Sequence, residues 1–307
     1  MNPDTKTTLS QIKQVCERHG VHYVSHERIT YGFSHEVHRI NKDLIIKIYD
    51  AEHHNKFRTE RDALASTYHF QKPVLIASGA PDSIFGRYYI IMSYIPGKSL
   101  GSMWHQANDT QREKLISSVC KNLQVINTID PTSMELKQIS SWQSHLIKRI
   151  NTLTDELVKK NTIDVTIVEQ IHDFIHSVGN IFQDTPLHTT YWDIHFDNFI
   201  VNESFELQAL IDLENIEITS LDYPLFVIRK QMNDPAKYLS LEDEKYARIE
   251  DYEKLEYWYR KYYPEMFAFD NLEQRIRVYQ LIDTLHLLNH WPKVKELYVA
   301  LNSLINK

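Results

Sequence analysis

The sequence predicts an α+β protein with two lobes: a small antiparallel sheet with one key helix, then a large, mainly helical lobe that contains a short β-hairpin. Three observations support this fold class. Short runs of apolar and β-branched residues, separated by turn residues, fill the N-terminal third of the chain. Long segments with apolar residues at helical spacing follow, and one stretch of strand-like runs around a polar turn interrupts them. We place the boundary after residue 95, which gives lobes of 1–95 and 96–307.

The small lobe is predicted to begin with a short helix, which three strands follow. Ile12, Val15 and Cys16 recur at helical spacing, and Gly20 then ends the segment. The next stretch, HYVSHERITYGFSHEVHRINKDLIIKIYD, contains short apolar runs separated by Gly32 and by the turn NKD. These runs predict two strands joined at Gly32 and a third strand, LIIKIYD.

One helix and two further strands complete the predicted small lobe. Phe57, Leu64 and Tyr68 stand among charged residues in segment 54–70, as in an amphipathic helix, and Pro73 is expected to stop it. The runs VLIASG and RYYIIMSYIPG predict the fourth and fifth strands, and the fifth ends at a proline–glycine step.

Helical periodicity dominates the large lobe. The segment DTQREKLISSVCKNLQVINTID carries apolar residues at helical spacing after Asp109, an N-cap candidate. SWQSHLIKRINTLTDELVKK and DVTIVEQIHDFIHSVGNIF repeat this pattern. The later stretch NFIVNESFELQALID has a polar turn between two apolar runs and predicts the hairpin. From Asp222 onward the chain is predicted to be helical again.

Composition limits the classes of function. The 307 residues are 42% hydrophobic and carry a formal net charge of −7, which gives no basic surface for nucleic acid. The two cysteines, Cys16 and Cys120, stand far apart, which argues against a disulfide framework or a zinc cage. No signal-peptide pattern is apparent, and no apolar stretch approaches the ~18 residues of a membrane span. We therefore expect a cytoplasmic protein with no membrane or nucleic-acid partner.

The stretch TTYWDIHFDNFIV concentrates the candidate chemistry. Asp193, His195 and Asp197 occupy alternate positions, and Asn198 follows directly. Such alternation is typical of a half-exposed strand, although aspartate and asparagine are poor strand formers. With His188 upstream, the same side chains are also candidate metal ligands. The third interpretation is the catalytic loop of a phosphotransferase.

The rest of the chain favours the third interpretation. Phosphoryl transfer needs a carboxylate at the acceptor hydroxyl, an amide and a second carboxylate for Mg²⁺, and a lysine that an acid holds against the nucleotide phosphates. Asp193 is the candidate for the hydroxyl. Asn198 and Asp212, at the two ends of the predicted hairpin, are the candidates for the metal. Lys47 is the candidate for the phosphates, since a lysine in the apolar strand LIIKIYD needs a partner, which Glu60 on the following helix can supply.

With these residues in place, the sequence resembles the aminoglycoside phosphotransferase and choline kinase-like family, which shares the protein-kinase fold. The loop of that family reads histidine–glycine–aspartate–x–histidine–x–x–asparagine, and YWDIHFDN keeps Asp193, His195 and Asn198. Its metal strand reads isoleucine–aspartate, an aromatic or apolar residue, then glutamate, which LIDLEN matches. IIMSYIPGKSL is similar to its hinge, YGFSHEVHRI to its nucleotide loop and FRTERDAL to its helix. The resemblance covers residues 29–226.

The resemblance implies roles for further residues. His195 would support Asp193 within the loop rather than act as an acid or base. Ser34 would be a side-chain donor in the nucleotide loop. The backbone groups of Met92 and Tyr94 would meet the adenine edge of the nucleotide.

Two features depart from the pattern of the family. Tyr191–Trp192 replaces the histidine–glycine pair before the aspartate, so this loop is bulkier than usual. Gly32 is the single glycine of the nucleotide loop, which must therefore depend on backbone amides to hold phosphates. Asp197 and Glu214 keep two interpretations, as neighbours of the metal or as solvated loop carboxylates.

We therefore expect a kinase that uses ATP (or GTP) and Mg²⁺ to phosphorylate a hydroxyl of a small molecule. An aminoglycoside-like or other amine-bearing, cationic acceptor is the leading expectation. It follows from the resemblance and suits the negative net charge. Two alternatives from other classes stay open. The first is a kinase-shaped nucleotide-binding or regulatory protein without turnover. The second is a metallohydrolase that uses His188, Asp193, His195 and Asp197.

Overall fold

The computed structural model describes residues 7–29, 35–82, 85–240 and 242–306. The chain divides into two compact units, each assembled from separate segments. The sheet unit consists of residues 1–115, 132–135 and 196–216, and the helical unit of 116–131, 136–195 and 217–307. The lobe boundary after residue 95 stays a prediction.

Ten strands and ten α-helices lie within the described residues, together with several short 3₁₀ turns. The strands are β1 (His26–Ile29), β2 (Glu36–Ile40), β3 (Leu44–Tyr49), β4 (Leu75–Gly79), β5 (Tyr88–Ser93), β6 (Lys98–Ser99), β7 (His188–Tyr191), β8 (Phe199–Val201), β9 (Leu207–Leu210) and β10 (Ile216–Thr219). The helices are α1 (Leu9–Arg18), α2 (His54–Ala65), α3 (Leu100–Trp104), α4 (Asp109–Asn127), α5 (Trp142–Lys159), α6 (Val165–Val178), α7 (Leu225–Asn233), α8 (Leu255–Tyr262), α9 (Leu272–His290) and α10 (Lys295–Ile305).

The sheet unit is built on a five-stranded antiparallel sheet of order β1-β2-β3-β5-β4. All five strands predicted for the small lobe are confirmed. β3 lies in the middle, where Lys47 is opposite Val37 on one side and Ile90 on the other. The turn predicted at Gly32 lies outside the described residues.

Helix α1 packs its predicted apolar face into the core of this unit. Ile12, Val15 and Cys16 are fully buried in a cluster that includes Ile46 and Ile91 of the sheet. A reciprocal capping box starts the helix, in which Thr8 and Gln11 bond each other's backbone amides. The predicted short helix is thereby confirmed.

Helix α2 is shorter than the sequence predicts. The helical pattern was expected to run through Phe70, but α2 ends at Ala65. The Lys72 ammonium donates to the carbonyl oxygens of Ala63 (2.8 Å) and Ser66 (2.7 Å), and it thereby bonds backbone groups at the helix end. The prediction of helix up to Phe70 is wrong because a cation supplied by a later residue caps the helix early.

The predicted hairpin is confirmed as β8 and β9, and the short strand β6 pairs with β8. The Asn202 side-chain oxygen accepts from the amides of Ser204 (3.0 Å) and Glu206 (2.9 Å), which fixes the turn. Gly97 precedes β6 with φ 147°, and a Cβ there would lie 2.5 Å from the Val201 carbonyl oxygen. Glycine at position 97 is therefore required by this close approach.

In the helical unit, α9 packs against both α5 and α10, and β7 and β10 form a two-stranded sheet. In its interior the Trp142 indole donates to the Tyr279 hydroxyl at 3.0 Å. The fully buried Arg275 guanidinium donates to Asp222 at 2.5 Å, which neutralises both charges. No helix within the described ranges is long and apolar enough to span a bilayer.

Both cysteine thiols are free and buried. Burial raises the pKa of the Cys16 thiol, with a smaller contribution from Glu17. Burial also raises the pKa of the Cys120 thiol far above its ordinary value. Both side chains therefore stay neutral apolar components of the two cores.

Candidate active site

Lys47 is the centre of a buried charge network in the sheet unit. Its ammonium contacts Glu60 at 2.6 Å and Glu214 at 3.0 Å, and it also contacts Asp212. Burial alone would lower the pKa of Lys47, but the carboxylates of Asp212 and Glu60 raise it well above the ordinary value. The side chain is therefore a fixed cation within the sheet.

Glu60 lies on the buried face of α2, as the sequence predicts for the partner of Lys47. Its carboxylate also accepts a hydrogen bond of 2.5 Å from the Tyr49 hydroxyl. Burial raises the pKa of Glu60, Lys47 opposes this, and the neighbouring carboxylates raise it further. Two donors thus keep this carboxylate in one position above β3.

Asp212 follows β9 and returns to the start of the hairpin. The Ile211 amide donates to the Asn198 carbonyl at 2.9 Å, so the residues on either side of the hairpin meet, as predicted. Asp212 adopts a left-handed backbone with φ 58° and ψ 51°. Aspartate and asparagine enter this region more readily than most residues, and such strained positions concentrate at functional sites.

Three carboxylates in the sheet unit have ligand oxygens within 4.8 Å of one another, those of Glu60, Asp212 and Glu214. Among the described residues this is the one group of three or more His, Cys, Asp or Glu side chains close enough to share an ion. Oxygen ligands of this kind fit Mg²⁺. Asn198, the other predicted ligand, is buried at the start of the same hairpin.

The interpretation of Glu214 as a solvated loop carboxylate is wrong, because its side chain is 2% exposed. One of its oxygens contacts His35 at 2.7 Å and Lys47 at 3.0 Å, and the other contacts Lys56 at 2.9 Å. Burial works to raise the pKa of Glu214, but Lys47 and His35 hold it well below the usual range. Burial lowers the pKa of His35, which favours the neutral imidazole.

Sequence reasoning missed His35 and Lys56. Lys56 precedes Glu60 by one helical turn, and this spacing was the available signal that both face the same side of α2. His35 had no comparable signal, because its contact with Glu214 joins segments far apart in the sequence.

Three further residues, Ser34, Met92 and Tyr94, were predicted to contact the nucleotide. Ser34 lies outside the described residues. Met92 is buried in the central part of the sheet, opposite Ile45 of β3. The Tyr94 amide donates to the Asp43 carbonyl at 2.7 Å, so an adenine edge that needs this amide would have to displace that bond. The roles of these residues stay predictions.

In the helical unit, the candidate catalytic aspartate lies in a loop that follows β7. β7 ends at Tyr191, and residues 196–198 form a 3₁₀ turn before β8. The interpretation of TTYWDIHFDNFIV as one half-exposed strand is therefore wrong. Asp193 and His195 lie 3.6 Å apart, and both side chains are partly exposed, by 20% and 27%. The sequence analysis predicted that His195 supports Asp193, and the short distance between the two side chains is compatible with that role.

Tyr238 of the helical unit lies near this loop. The rings of His195 and Tyr238 have centroids 6.3 Å apart. Burial, followed by the charges of Asp283, Asp193 and Asp234, raises the pKa of Tyr238 far above its ordinary value. The Tyr238 phenol therefore stays neutral, and the sequence did not predict its place near the loop.

The bulky residues that replace the usual histidine–glycine pair pack inside the helical unit. Tyr191 is buried, and the Trp192 indole stacks on Phe226 with centroids 6.2 Å apart. Trp192 also contacts Tyr223 edge-to-face at 5.8 Å. These side chains are accommodated by an aromatic cluster behind the loop.

A small antiparallel sheet with a buried lysine–glutamate pair, and a helical unit with an aspartate loop, define a protein-kinase-like fold. The model of the phosphotransferase enzyme family matches residues 25–258, and the chain belongs to this family. No curated protein matches the sequence. The resemblance and the fold class inferred from the sequence are thus confirmed.

Solved aminoglycoside phosphotransferases are similar to this chain over nearly its whole length. The GDP complex of wild-type aminoglycoside 2'-phosphotransferase-IIIa has a TM-score of 0.68 at 14% identity, covering 98% of this chain and 99% of the other. The streptomycin–ATP–APH(2'')-IIa ternary complex has a TM-score of 0.69 at 15% identity, covering 99% and 98%. A thermostable mutant of APH(4)-Ia with ADP and hygromycin B has a TM-score of 0.64 at 14% identity, covering 97% and 98%.

Proposed function

We propose that this protein is a kinase that transfers the γ-phosphoryl group of ATP or GTP to a hydroxyl of a small, amine-bearing molecule. The observation that carries the proposal is the contact of the Lys47 ammonium with Glu60, Asp212 and Glu214. Membership of the phosphotransferase enzyme family supports the reaction class. The nucleotides in similar structures support a nucleotide donor.

On the nucleotide side, Lys47 binds phosphate oxygens and Glu60 keeps its ammonium in place. Asn198 and Asp212 would hold Mg²⁺, and Asp212 belongs to the carboxylate group of the sheet unit. When bound, the ion neutralises charge on the phosphates. Most of the catalysis of phosphoryl transfer comes from this kind of positioning and electrostatics.

On the acceptor side, Asp193 binds the hydroxyl and accepts its proton. The hydroxyl oxygen forms a bond to the γ-phosphorus, the bond from that phosphorus to the bridging oxygen breaks, and the nucleoside diphosphate leaves. His195, 3.6 Å from Asp193, positions the carboxylate. Each side chain has one task, and no covalent enzyme intermediate is required.

The carboxylates around Tyr238 support a cationic acceptor. Asp193, Asp234 and Asp283 each raise the pKa of this phenol, and two of them form ion pairs, Asp234 with Lys237 and Asp283 with Lys230. Ammonium groups bind favourably among carboxylates and aromatic rings. The similar structures include complexes with streptomycin and hygromycin B, both described as bound by those proteins.

The proposal is tested by product mass. The protein is incubated with Mg²⁺ and ATP or GTP against a panel of aminoglycosides, smaller amino sugars and neutral polyols. We expect an amine-bearing acceptor to gain the mass of one phosphoryl group with the wild-type chain but not with Asp193→Asn. Nucleotide binding without a phosphorylated product from any acceptor would contradict the kinase proposal and favour a regulatory, kinase-shaped protein.

A further inference from the structure

Glu214 of the sheet unit binds three basic side chains through its two carboxylate oxygens. Oε2 contacts His35 at 2.7 Å and Lys47 at 3.0 Å. Oε1 contacts only one of the three, Lys56, at 2.9 Å. Lys47 and Lys56 therefore contact different oxygens of the same carboxylate.

The two lysines differ in their surroundings. Lys47 has an 8% exposed side chain and also contacts Glu60 and Asp212, whereas the Lys56 side chain is 39% exposed. Glu214 is the one carboxylate with which Lys56 forms an ion pair within the described part of the chain. Lys56 thus adds a second lysine to a carboxylate that Lys47 already pairs, and its own side chain is open to solvent.

The position of Lys56 on α2 directs its ammonium toward the predicted phosphate site. Lys56 and Glu60 are one helical turn apart, and Glu60 holds Lys47, the predicted phosphate contact. An ammonium on a long, partly exposed side chain can turn from a carboxylate to a phosphate oxygen without a change in the backbone. Phosphate is also the stronger competitor, because several of its oxygens can accept at once.

We propose that Lys56 is a second nucleotide-phosphate contact, whose ammonium rests on Glu214 and binds a β- or γ-phosphate oxygen when nucleotide is present. This inference rests on the nucleotide binding of the proposed function. It assigns to Lys56 a role that neither the sequence motifs nor the family resemblance suggested. The ligand it recognises is a nucleoside di- or triphosphate, and a nucleoside without phosphates should not depend on it.

The test is the affinity of Lys56→Ala for ATP, ADP and adenosine, measured calorimetrically in magnesium-free buffer without acceptor. We expect affinity for ATP and ADP to fall about 10-fold, as for loss of one charge-assisted hydrogen bond. Adenosine affinity should stay the same, and Lys56→Arg should recover part of the ATP affinity. Arg58→Ala is the matched control, because Arg58 lies on the same helix as Lys56 but pairs with Glu135, and it should leave all three affinities unchanged.

A second variant separates direct contact from an effect through Glu214. In a Glu214→Gln background, Lys56→Ala should still weaken ATP binding, because the ammonium itself touches the phosphate. The proposal is overturned by unchanged ATP affinity, by equal losses for ATP and adenosine, or by disappearance of the effect in that background. Since no acceptor is present, these outcomes are independent of whether any acceptor is phosphorylated.

Discussion

The Lys47 ammonium and the Glu60 carboxylate lie 2.6 Å apart, both buried, and they join the central strand β3 to helix α2. Neither group can lose its partner without leaving a charge in a low-dielectric site. Asp212 and Glu214 extend the same network, so the integrity of the sheet unit and its proposed nucleotide binding depend on one cation.

Replacement of Lys47 should therefore damage both stability and binding. We expect Lys47→Ala to lower the free energy of unfolding by about 3–5 kcal/mol, since three carboxylates lose their common cation. Affinity for ATP should fall as well. Denaturant unfolding and calorimetric titration measure the two effects. Tyr49→Phe is the control, because it removes one donor to Glu60 without changing any charge. If Lys47→Ala unfolded at the same denaturant concentration as the wild type, this account would be contradicted.

Replacement of Asp193 should affect turnover but not nucleotide binding. The carboxylate is partly exposed and lies in the helical unit. We expect Asp193→Asn to reduce kcat roughly 10²–10⁴-fold, the usual contribution of a general base. Single-turnover assays and nucleotide titrations separate the two quantities. Equal losses of kcat and ATP affinity would show that Asp193 has a structural role instead.

The carboxylates near Tyr238 should set the affinity for a cationic acceptor. The charge of Asp283 raises the pKa of this phenol, and the Asp283 carboxylate pairs with Lys230. We expect Asp283→Asn to raise KM for an amine-bearing acceptor about 10-fold with little change in kcat. A neutral polyol acceptor is the internal control, since its KM should not change. Increasing ionic strength should raise KM for the amine in the wild-type protein because salt screens partly exposed charges.

Glu36 should make the sheet unit sensitive to acid. Burial would raise the pKa of Glu36, but His38, Thr7 and Arg87 together lower it to about 2 from an ordinary value of 4.5. A carboxyl with a depressed pKa stabilises the fold above pH 4.5, and this contribution is lost as pH falls toward 2. The contribution is on the order of 1 kcal/mol after allowance for solvent screening. The free energy of unfolding should be measured for the wild type and for Glu36→Gln from pH 5 to pH 2. It should fall less steeply with decreasing pH in the variant.

The buried pair of Arg275 and Asp222 should be the most sensitive charge pair of the helical unit. Both side chains are essentially inaccessible, with exposures of 2% and 0%. Arg275→Met leaves an unpaired buried carboxylate and should cost about 3–5 kcal/mol. The double variant with Asp222→Asn should recover part of this loss, because no charge then remains. Additive losses in the double-mutant cycle would mean that the two groups do not interact.

Local features of this protein were predictable from the sequence. The strand LIIKIYD identified Lys47 as a buried cation, and the next helix contained its partner Glu60. The hairpin pattern brought Asp212 back to Asn198, because two short strands and a polar turn define that geometry by themselves. In both cases the signal, an unpaired charge or a strand–turn–strand pattern, lies within a short segment of the sequence and can be read there directly.

Contacts between distant segments were not predictable. Helix α2 ends early because Lys72 reaches back to the carbonyl of Ala63, and no periodicity encodes that. The contact of Lys56 with Glu214 joins positions 158 residues apart. The cluster of Tyr238 with Asp283 likewise depends on how two helical segments pack. Side-chain identity alone does not reveal such pairs.

The two native thiols, Cys16 and Cys120, are buried and resist ionisation, and this makes the chain a convenient host for covalent probes. Maleimides react with thiolates, so the unaltered protein should give almost no labelling background. A fluorophore on Val24→Cys and another on Val299→Cys, positions that are 69% and 70% exposed, would mark the sheet unit and the helical unit without removal of any native cysteine.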